Sequence, residues 1–434
     1  MRPRPVSSEE AEALFACFPR FPRLALAVSG GPDSLALMHL AARWRDARRE
    51  SPELIVLTVD HGLRTGSRDE ALTVGRAADA AGLPHAVLTW THDGVGTSLQ
   101  ARARAARYDL MAAYAHAHDM PALVTAHHLD DQAETFLMRL KRGSGLDGLS
   151  AIPEQGDWAG LTLLRPLLDV RKERLVATVE EAGLVFVTDP SNADARFERG
   201  RLRGAMEALG ALGLTAETIA LSARRLRRAR AALDAASGDF LARHAETSAA
   251  GYAAIDLAAL TDAPEEIALR ALSRVMAMVG GGADPVRLAK LETLLAALNA
   301  EPEKAHTLAR CRIAPKGGRL FIVREMRKEG LPVLDLRPGE GALWDNRFRI
   351  ELGTGAGMAV TVRALGDAGL QDLRQREALP PVPRIAARTL PACWRGETLL
   401  GLPDFGQALT FDAAPSLRHE GGLDCRATFL RGAI

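Results

Sequence analysis

The chain predicts an α/β fold: a doubly wound parallel sheet, then a helical domain, then a small α+β C-terminal domain. Three observations carry this. Between about residues 22 and 190, short apolar runs alternate with segments of helical periodicity, as in strand–helix–strand crossovers. From about 205 to 300, Ala, Leu and Arg recur at helical spacing until Gly280-Gly281-Gly282 breaks the run. The last hundred residues are rich in Gly, Pro and short β-like runs. The expected divisions are 1–205, 206–326 and 333–434, with a linker at Met326–Pro332.

In the first division the expected strands are Leu24–Val28, Leu54–Val59, His85–Thr89 and Ala122–Thr125, with a weaker one at Leu184–Val187. Helices are expected over Leu35–Arg48, Ser67–Ala81, Ser98–His118 and Asp130–Lys141. Leu308 to Arg324 reads as a two-stranded element turning at Lys316-Gly317-Gly318. Phe348–Leu352, Ala359–Val362 and Thr398–Leu400 are the β-like runs near the end.

Ligands of such sheets gather beyond the C-terminal strand ends. The first strand runs into Ser29-Gly30-Gly31-Pro32-Asp33-Ser34 at the start of a helix. Free N–H groups and the positive end of the helix dipole converge there, and the glycines let backbone approach a phosphate. Ser29 and Ser34 offer hydroxyls, and Asp33 is a candidate Mg²⁺ ligand. The Gly-x-x-x-x-Gly-Lys-Ser/Thr spacing of a Walker loop is absent and no lysine lies nearby, which favours gripping a departing pyrophosphate.

His127-His128-Leu129-Asp130-Asp131-Gln132-Ala133-Glu134 follows the fourth strand. On a helix Asp131 and Glu134 share a face, as do His127 with Asp131 and Asp130 with Glu134. Clustered carboxylates hold Mg²⁺ or an ammonium group, and a neighbouring His relays a proton. The plainer alternative makes Asp130 a helix cap and the rest a solvated face. Asp60 and His61 lie at the second strand end, and Arg104 and Arg107 one helical turn apart.

Composition sets limits on partners. Net charge is +1, so a nucleic-acid partner must meet local basic patches. The densest is Arg196 to Arg203 followed by Arg224-Arg225-Leu226-Arg227-Arg228-Ala229-Arg230, read either as RNA contact or as a solvated helix face in an Arg-rich chain. Cys17, Cys311, Cys393 and Cys425 are scattered, which suggests neither a disulfide framework nor a thiolate metal site and fits a reducing cytoplasm. The acidic N-terminal segment makes a poor signal peptide, and no run approaches the roughly 20 apolar residues of a membrane span.

The hexapeptide after a strand resembles the PP-loop of ATP pyrophosphatases. Five further strings occur with it in one order: Val59 to Arg64, Ala103 to Tyr108, Thr125 to Thr135, Arg142 to Leu149 and Arg165-Pro166-Leu167-Leu168. Asp189-Pro190-Ser191-Asn192 completes the set. Together they resemble the tRNA(Ile)-lysidine synthetase family, densely over residues 23–203 and loosely through Thr307 to Ile313. The resemblance implies a PP-loop, adenine nucleotide alpha hydrolase-like fold and a ligase using ATP and Mg²⁺. It would join L-lysine to C2 of the wobble cytidine in an isoleucine tRNA with a CAU anticodon, by way of an adenylated base.

By the same resemblance Ser29, Gly30, Gly31, Pro32, Asp33 and Ser34 bind ATP, and Asp60 and His61 sit near the adenosine. Asp131 and Glu134 face lysine, His127 accepts a proton, and Arg107 stabilises developing charge. The 333–434 division would touch the tRNA acceptor arm, as in larger members, and a homodimer is a candidate assembly. The family's usual Arg-Asn-x-(Ile/Leu)-Arg string appears as Arg199-Gly200-Arg201-Leu202-Arg203, with Gly for Asn. A cytidine thiolase is disfavoured for want of cysteine pairs, and a mere tRNA-binding module by the intact Asp33, Asp131 and Glu134.

Overall fold

The computed structural model describes residues 3–62, 66–91, 99–187, 198–282, 286–405 and 424–430. The chain divides into two compact units, Met1–Arg230 and Ala231–Ile434.

In the first unit α1 (Ser8–Leu14) precedes β1 (Arg23–Ala27), α2 (Pro32–Asp46), β2 (Glu53–Asp60), α3 (Ser67–Ala80) and β3 (His85–Thr89). There follow α4 (Leu99–Ala117), β4 (Ala122–Val124), α5 (Leu129–Leu140), α6 (Leu146–Leu149), β5 (Gln155–Trp158) and β6 (Leu161–Leu164). Then come α7 (Lys172–Glu181), α8 (Glu198–Ala211) and α9 (Ala216–His244), which begins in this unit.

The six strands order β3-β2-β1-β4-β6-β5, all parallel except β5, which pairs antiparallel with β6. Strands covered on both faces read as unbroken apolar runs. β1 does so, with Leu24, Ala25 and Leu26 wholly buried. One core lies where α1, α2 and α7 pack on the sheet, with Phe15 stacked on Phe18 at 4.6 Å and Trp44 edge-on to Phe18 at 5.4 Å. The opposite core gathers Ala25, Leu57, Tyr108, Met111 and Leu163.

The order reverses between β1 and β4, so helices leave to opposite sides there and a crevice opens at their C-terminal ends. The expected strand at Leu184–Val187 does not form; its backbone bonds once back to α7, Leu184 N–H to Val179 O at 3.1 Å, and once to the β1 loop, Val187 N–H to Gly30 O at 3.0 Å. The sheet is extended instead by the β5–β6 hairpin. Its turn is Ala159-Gly160 with φ of 52° and 80°, a two-residue loop without the Asn-Gly that marks such turns in sequence.

The second unit holds β7 (Ala245–Ser248), β8 (Tyr252–Asp256), α10 (Leu257–Asp262), α11 (Glu265–Gly280) and α12 (Leu288–Ala300). With β9 (His306–Leu308), β10 (Cys311–Lys316) and β11 (Arg319–Arg324) they make a five-stranded antiparallel sheet, β7-β8-β11-β10-β9, under the helices. The expected helical run is thus interrupted by a β7–β8 hairpin, which turns through Gly251 at φ +75°. Its alternation is only four or five residues long, too short to stand out among alanines. A separate core around Trp344, Phe348 and Trp394 lies between a four-stranded and a three-stranded sheet. Cys393 and Cys425, distant in sequence, lie there with their sulfurs 3.4 Å apart as free thiols.

Candidate active site

The loop after β1 is built to leave amides open. Gly31 caps α2 with no side-chain bond to the first turn, and Pro32 at the first helical position has no N–H to satisfy. Gly30 holds φ +84°, and a Cβ there would come within 3.3 Å of Val74 Cγ2. The Ser34 hydroxyl donates to Gly31 O at 3.0 Å and accepts the Ser29 amide at 3.1 Å, which shapes the turn. Ser29 itself is exposed.

After β4 the next helix N-terminus is arranged in the opposite sense. His128 precedes α5, and its amide donates to Asp131 Oδ2 at 3.1 Å. The His128 ring is buried among three carboxylates: Nε2 lies 3.5 Å from both Asp33 Oδ2 and Asp131 Oδ2, and Nδ1 lies 3.6 Å from Asp130 Oδ2. Burial works against its charged form, but the three acids outweigh that and raise its pKa. Burial alone would raise the Asp131 carboxyl too; His128, His127, the His128 amide and Arg199 overcome this and hold it low.

Asp130 serves a different helix from its own. Its Oδ2 accepts the Lys172 amide at 2.8 Å, capping α7, whose own cap residue Arg171 has no side-chain bond to offer. That cap carries the Lys172 side chain to the loop, with Nζ 3.6 Å from Asp33 Oδ2. A lysine missing from the loop's sequence therefore arrives from another helix.

Glu134 is buried and bound by α8: Arg203 Nε lies 2.5 Å from Oε1 and Nη2 3.3 Å from Oε2, with Arg199 Nε 3.9 Å from Oε2. Beside this pair a cavity of about 600 Å³ is lined by Asp130, Glu134, Lys172, Arg203 and Glu217 among others. The solvated-face alternative for Asp131 and Glu134 is thereby excluded, since both side chains are buried.

His127 meets Thr125 Oγ1 through Nδ1 at 2.9 Å and faces Arg104 Nη2 at 3.5 Å through Nε2. Burial and the positive charges of Arg104, Arg165 and Arg199 push its pKa down to about 4, against the pull of Asp131. Arg107 makes no hydrogen bond or ion pair among the described residues. Its side chain is exposed, yet desolvation by the surrounding chain and then the charge of Arg104 lower its guanidinium from the usual arginine range.

Asp60 is used locally. Its Oδ1 accepts Ser67 Oγ at 2.5 Å and the Gly62 amide at 3.1 Å, tying the end of β2 to the start of α3. Those bonds, Ser67's foremost, hold its pKa low. No described hydrogen bond or ion pair joins Asp60 to the β1 loop or to α5. Asp189 to Asn192 lie outside the described residues, as does Arg196.

Against this geometry, residues 5–208 match the PP-loop domain family. A tRNA(Ile)-lysidine synthase of Rhodopseudomonas palustris is 44% identical over 75% of this chain and 97% of its own length. The chain belongs to the tRNA(Ile)-lysidine synthase family. The enzyme of that name from Ruegeria pomeroyi is 38% identical over 89% of both chains, and the one from Methylobacterium nodulans 51% identical over 62% of this chain and 79% of its own.

As a member of the tRNA(Ile)-lysidine synthases, this chain is an ATP-using PP-loop ligase that forms lysidine on tRNA(Ile). The basic tract Arg224–Arg230 is divided in use. Arg224, Arg227 and Arg230 pair with Asp169, Glu154 and Asp147 at 3.2–3.3 Å, whereas Arg225 and Arg228 point to solvent with no described ion pair. Sequence reasoning missed Lys172 and the buried His128, and read Arg203 as an RNA contact without its pairing to Glu134. Arg203 had a faint signal in the Arg199–Arg203 string; Lys172 had none beyond being one of six lysines.

Proposed function

We propose that the crevice between β1 and β4 adenylates the wobble cytidine of an isoleucine tRNA bearing a CAU anticodon and then exchanges AMP for lysine. The observation that carries this reading is the meeting of two unlike helix N-termini. Open amides at α2 suit phosphates, buried carboxylates at α5 suit an ammonium, and His128 lies within 3.5 Å of an acid from each.

Cytidine O2 attacks the α-phosphorus, the bond to the bridging oxygen breaks, and pyrophosphate leaves with the electron pair. Ser29, Gly30, Gly31, Pro32 and Ser34 enclose the phosphates, and Lys172 supplies positive charge beside them. The deprotonated ε-amine of lysine then attacks C2, the C2–O bond breaks, and AMP departs. Asp131 and Glu134 hold the lysine, Asp60 and His61 flank the adenosine, and Arg107 offers an uncommitted guanidinium to the charge that develops.

Mg²⁺ fits at Asp33. Its Oδ1 is buried without a hydrogen-bond partner, an open acceptor for a cation carried in by phosphates. Among the described residues no group of three His, Cys, Asp or Glu forms a protein-only cage. When bound there, the ion supplies charge neutralisation to the triphosphate.

His127 receives the proton the amine sheds. With a pKa of about 4 it is neutral at pH 7 but a weak base. Bound phosphate offsets the repulsion from Arg104, Arg165 and Arg199 and moves that pKa upward. The acid limb of kcat/KM, which reports the free enzyme, should therefore fall near pH 4, and the acid limb of kcat at higher pH. Coincident limbs in a pH–rate series would remove His127 from this role.

Residues 206–326 and 333–434 supply further tRNA contacts, including the acceptor arm. No described helix is long and apolar enough to cross a membrane, and we place the reaction in the cytoplasm beside its tRNA. Nucleoside analysis of unmodified isoleucine tRNA after incubation with ATP, Mg²⁺ and lysine tests the reading. Lysidine should form with one AMP and one pyrophosphate each; pyrophosphate release without lysidine would overturn it.

A further inference from the structure

Glu134 receives lysine in the proposed reaction, and the role of Arg203 inferred here rests on that assignment. In the structure the Glu134 carboxylate already has a cation on both oxygens. Arg203 reaches it from α8 with a two-point contact, 2.5 Å to Oε1 and 3.3 Å to Oε2. The Glu134 side chain is 5% exposed, so it cannot do without a counter-charge. The guanidinium that supplies it is 31% exposed and lines the cavity beside α5. Arg199 stands 3.9 Å from the same Oε2.

A substrate ammonium and this guanidinium compete for one acceptor pair. Arg199 and Arg203 already share this buried carboxylate, and a third cation is repelled by both, so lysine binds more tightly once Arg203 leaves. A departing guanidinium needs a new acceptor, and the one it matches best is a phosphate, through paired N–H donors. That acceptor is expected close by. Lys172 lines the same cavity and touches Asp33 of the phosphate loop at 3.6 Å. Arg203 also feels the charges of Asp33 and Asp131, which with Glu134 raise its pKa against the effect of burial.

We propose that Arg203 is a resident counter-ion of Glu134, drawn off by the phosphate of an incoming substrate, so that lysine gains the carboxylate only after that substrate is in place. The phosphate belongs either to ATP or to the tRNA backbone. By linkage, lysine binding and binding of that substrate reinforce each other to the same degree. Arg203 is on this account a positioning residue that sets the order of binding. It needs no direct contact with the reacting atoms.

Equilibrium dialysis of labelled lysine against the full chain tests this in three arms: protein alone, protein with Mg²⁺ and α,β-methylene-ATP, and protein with unmodified isoleucine tRNA. Lysine affinity should rise about tenfold, within the usual range of such couplings, in at least one phosphate arm. The arm that responds names the source of the phosphate. Arg203→Gln should bind lysine alone as tightly as the wild type does with phosphate present, and show no coupling. Arg203→Lys, which keeps a cation but loses the two-point grip, should fall between and serves if the Gln variant does not fold.

Equal wild-type affinity in all arms overturns the proposal. So does weaker lysine binding by Arg203→Gln alone, as a purely structural ion pair would give. Glu134→Gln separates this from the underlying reading. Normal lysine binding by Glu134→Gln sinks both, whereas its loss in every arm leaves the lysine assignment standing even if the coupling fails.

Discussion

α2 and α5 start at the ends of adjacent parallel strands, a few ångströms apart, yet their first turns are finished in opposite ways. α2 opens with Gly31 and Pro32 and leaves its amides unclaimed. α5 opens with His128, Asp130 and Asp131, and turns Asp131 back onto the His128 amide at 3.1 Å. The macrodipole favours anions at both. What differs is whether the anion is built in. Where side chains decline to cap, the helix waits for phosphate. Where a carboxylate caps it, that acid and its neighbours form a site for cations. One fold element thus yields two complementary subsites.

The harshest way to break this contrast is Asp33→Ala, which removes the acid at the open terminus that both His128 and Lys172 approach. Pyrophosphate release should drop by about 10²–10³-fold, the scale of one preorganised electrostatic group. A near wild-type rate would remove the loop from catalysis. Next is Glu134→Ala at the closed terminus. It should raise the KM for lysine by about 10–100-fold, the worth of a charge-assisted bond, with little change for ATP. Equal effects on both substrates would mean the two termini are not separate subsites.

Smaller effects sharpen the comparison. Asp130→Ala removes the cap of α7 and should cost about 1 kcal/mol in urea unfolding. Lysine KM should hold, while ATP KM rises because Lys172 loses its anchor. A rise in lysine KM instead would mean that Asp130 contacts lysine in the cavity it lines. Smallest is Arg225→Ala with Arg228→Ala. Each lost phosphate contact should reduce the slope of log K against log salt by somewhat under 1. An unchanged slope would make that face of α9 merely solvated.

How much of the site was legible in sequence depends on how locally each part is encoded. The β1 loop is one contiguous string, with its glycines and the preceding apolar run in a single window, and its placement could be read directly. The α5 carboxylates were legible as a face, but not their fates: helical spacing put Asp130 with Glu134, while the fold gave Asp130 to α7 and Glu134 to α8. Arg203 and Glu134 are 69 residues apart, and no periodicity links them. The β5–β6 hairpin escaped because Ala159 takes a positive φ that sequence reserves for Gly or Asn. Leu184–Val187 looked like a strand because apolar composition marks burial, and it marks strand and packed loop alike.

The link from Asp130 to the Lys172 amide has a consequence for how this enzyme is divisible. A fragment ending before β5 would carry the whole hexapeptide, α5 and its acids, yet no ammonium beside Asp33. The phosphate grip is therefore not a portable cassette. It is assembled from segments about 140 residues apart in number, and grafting the loop alone onto another strand–helix junction would transplant only half of it.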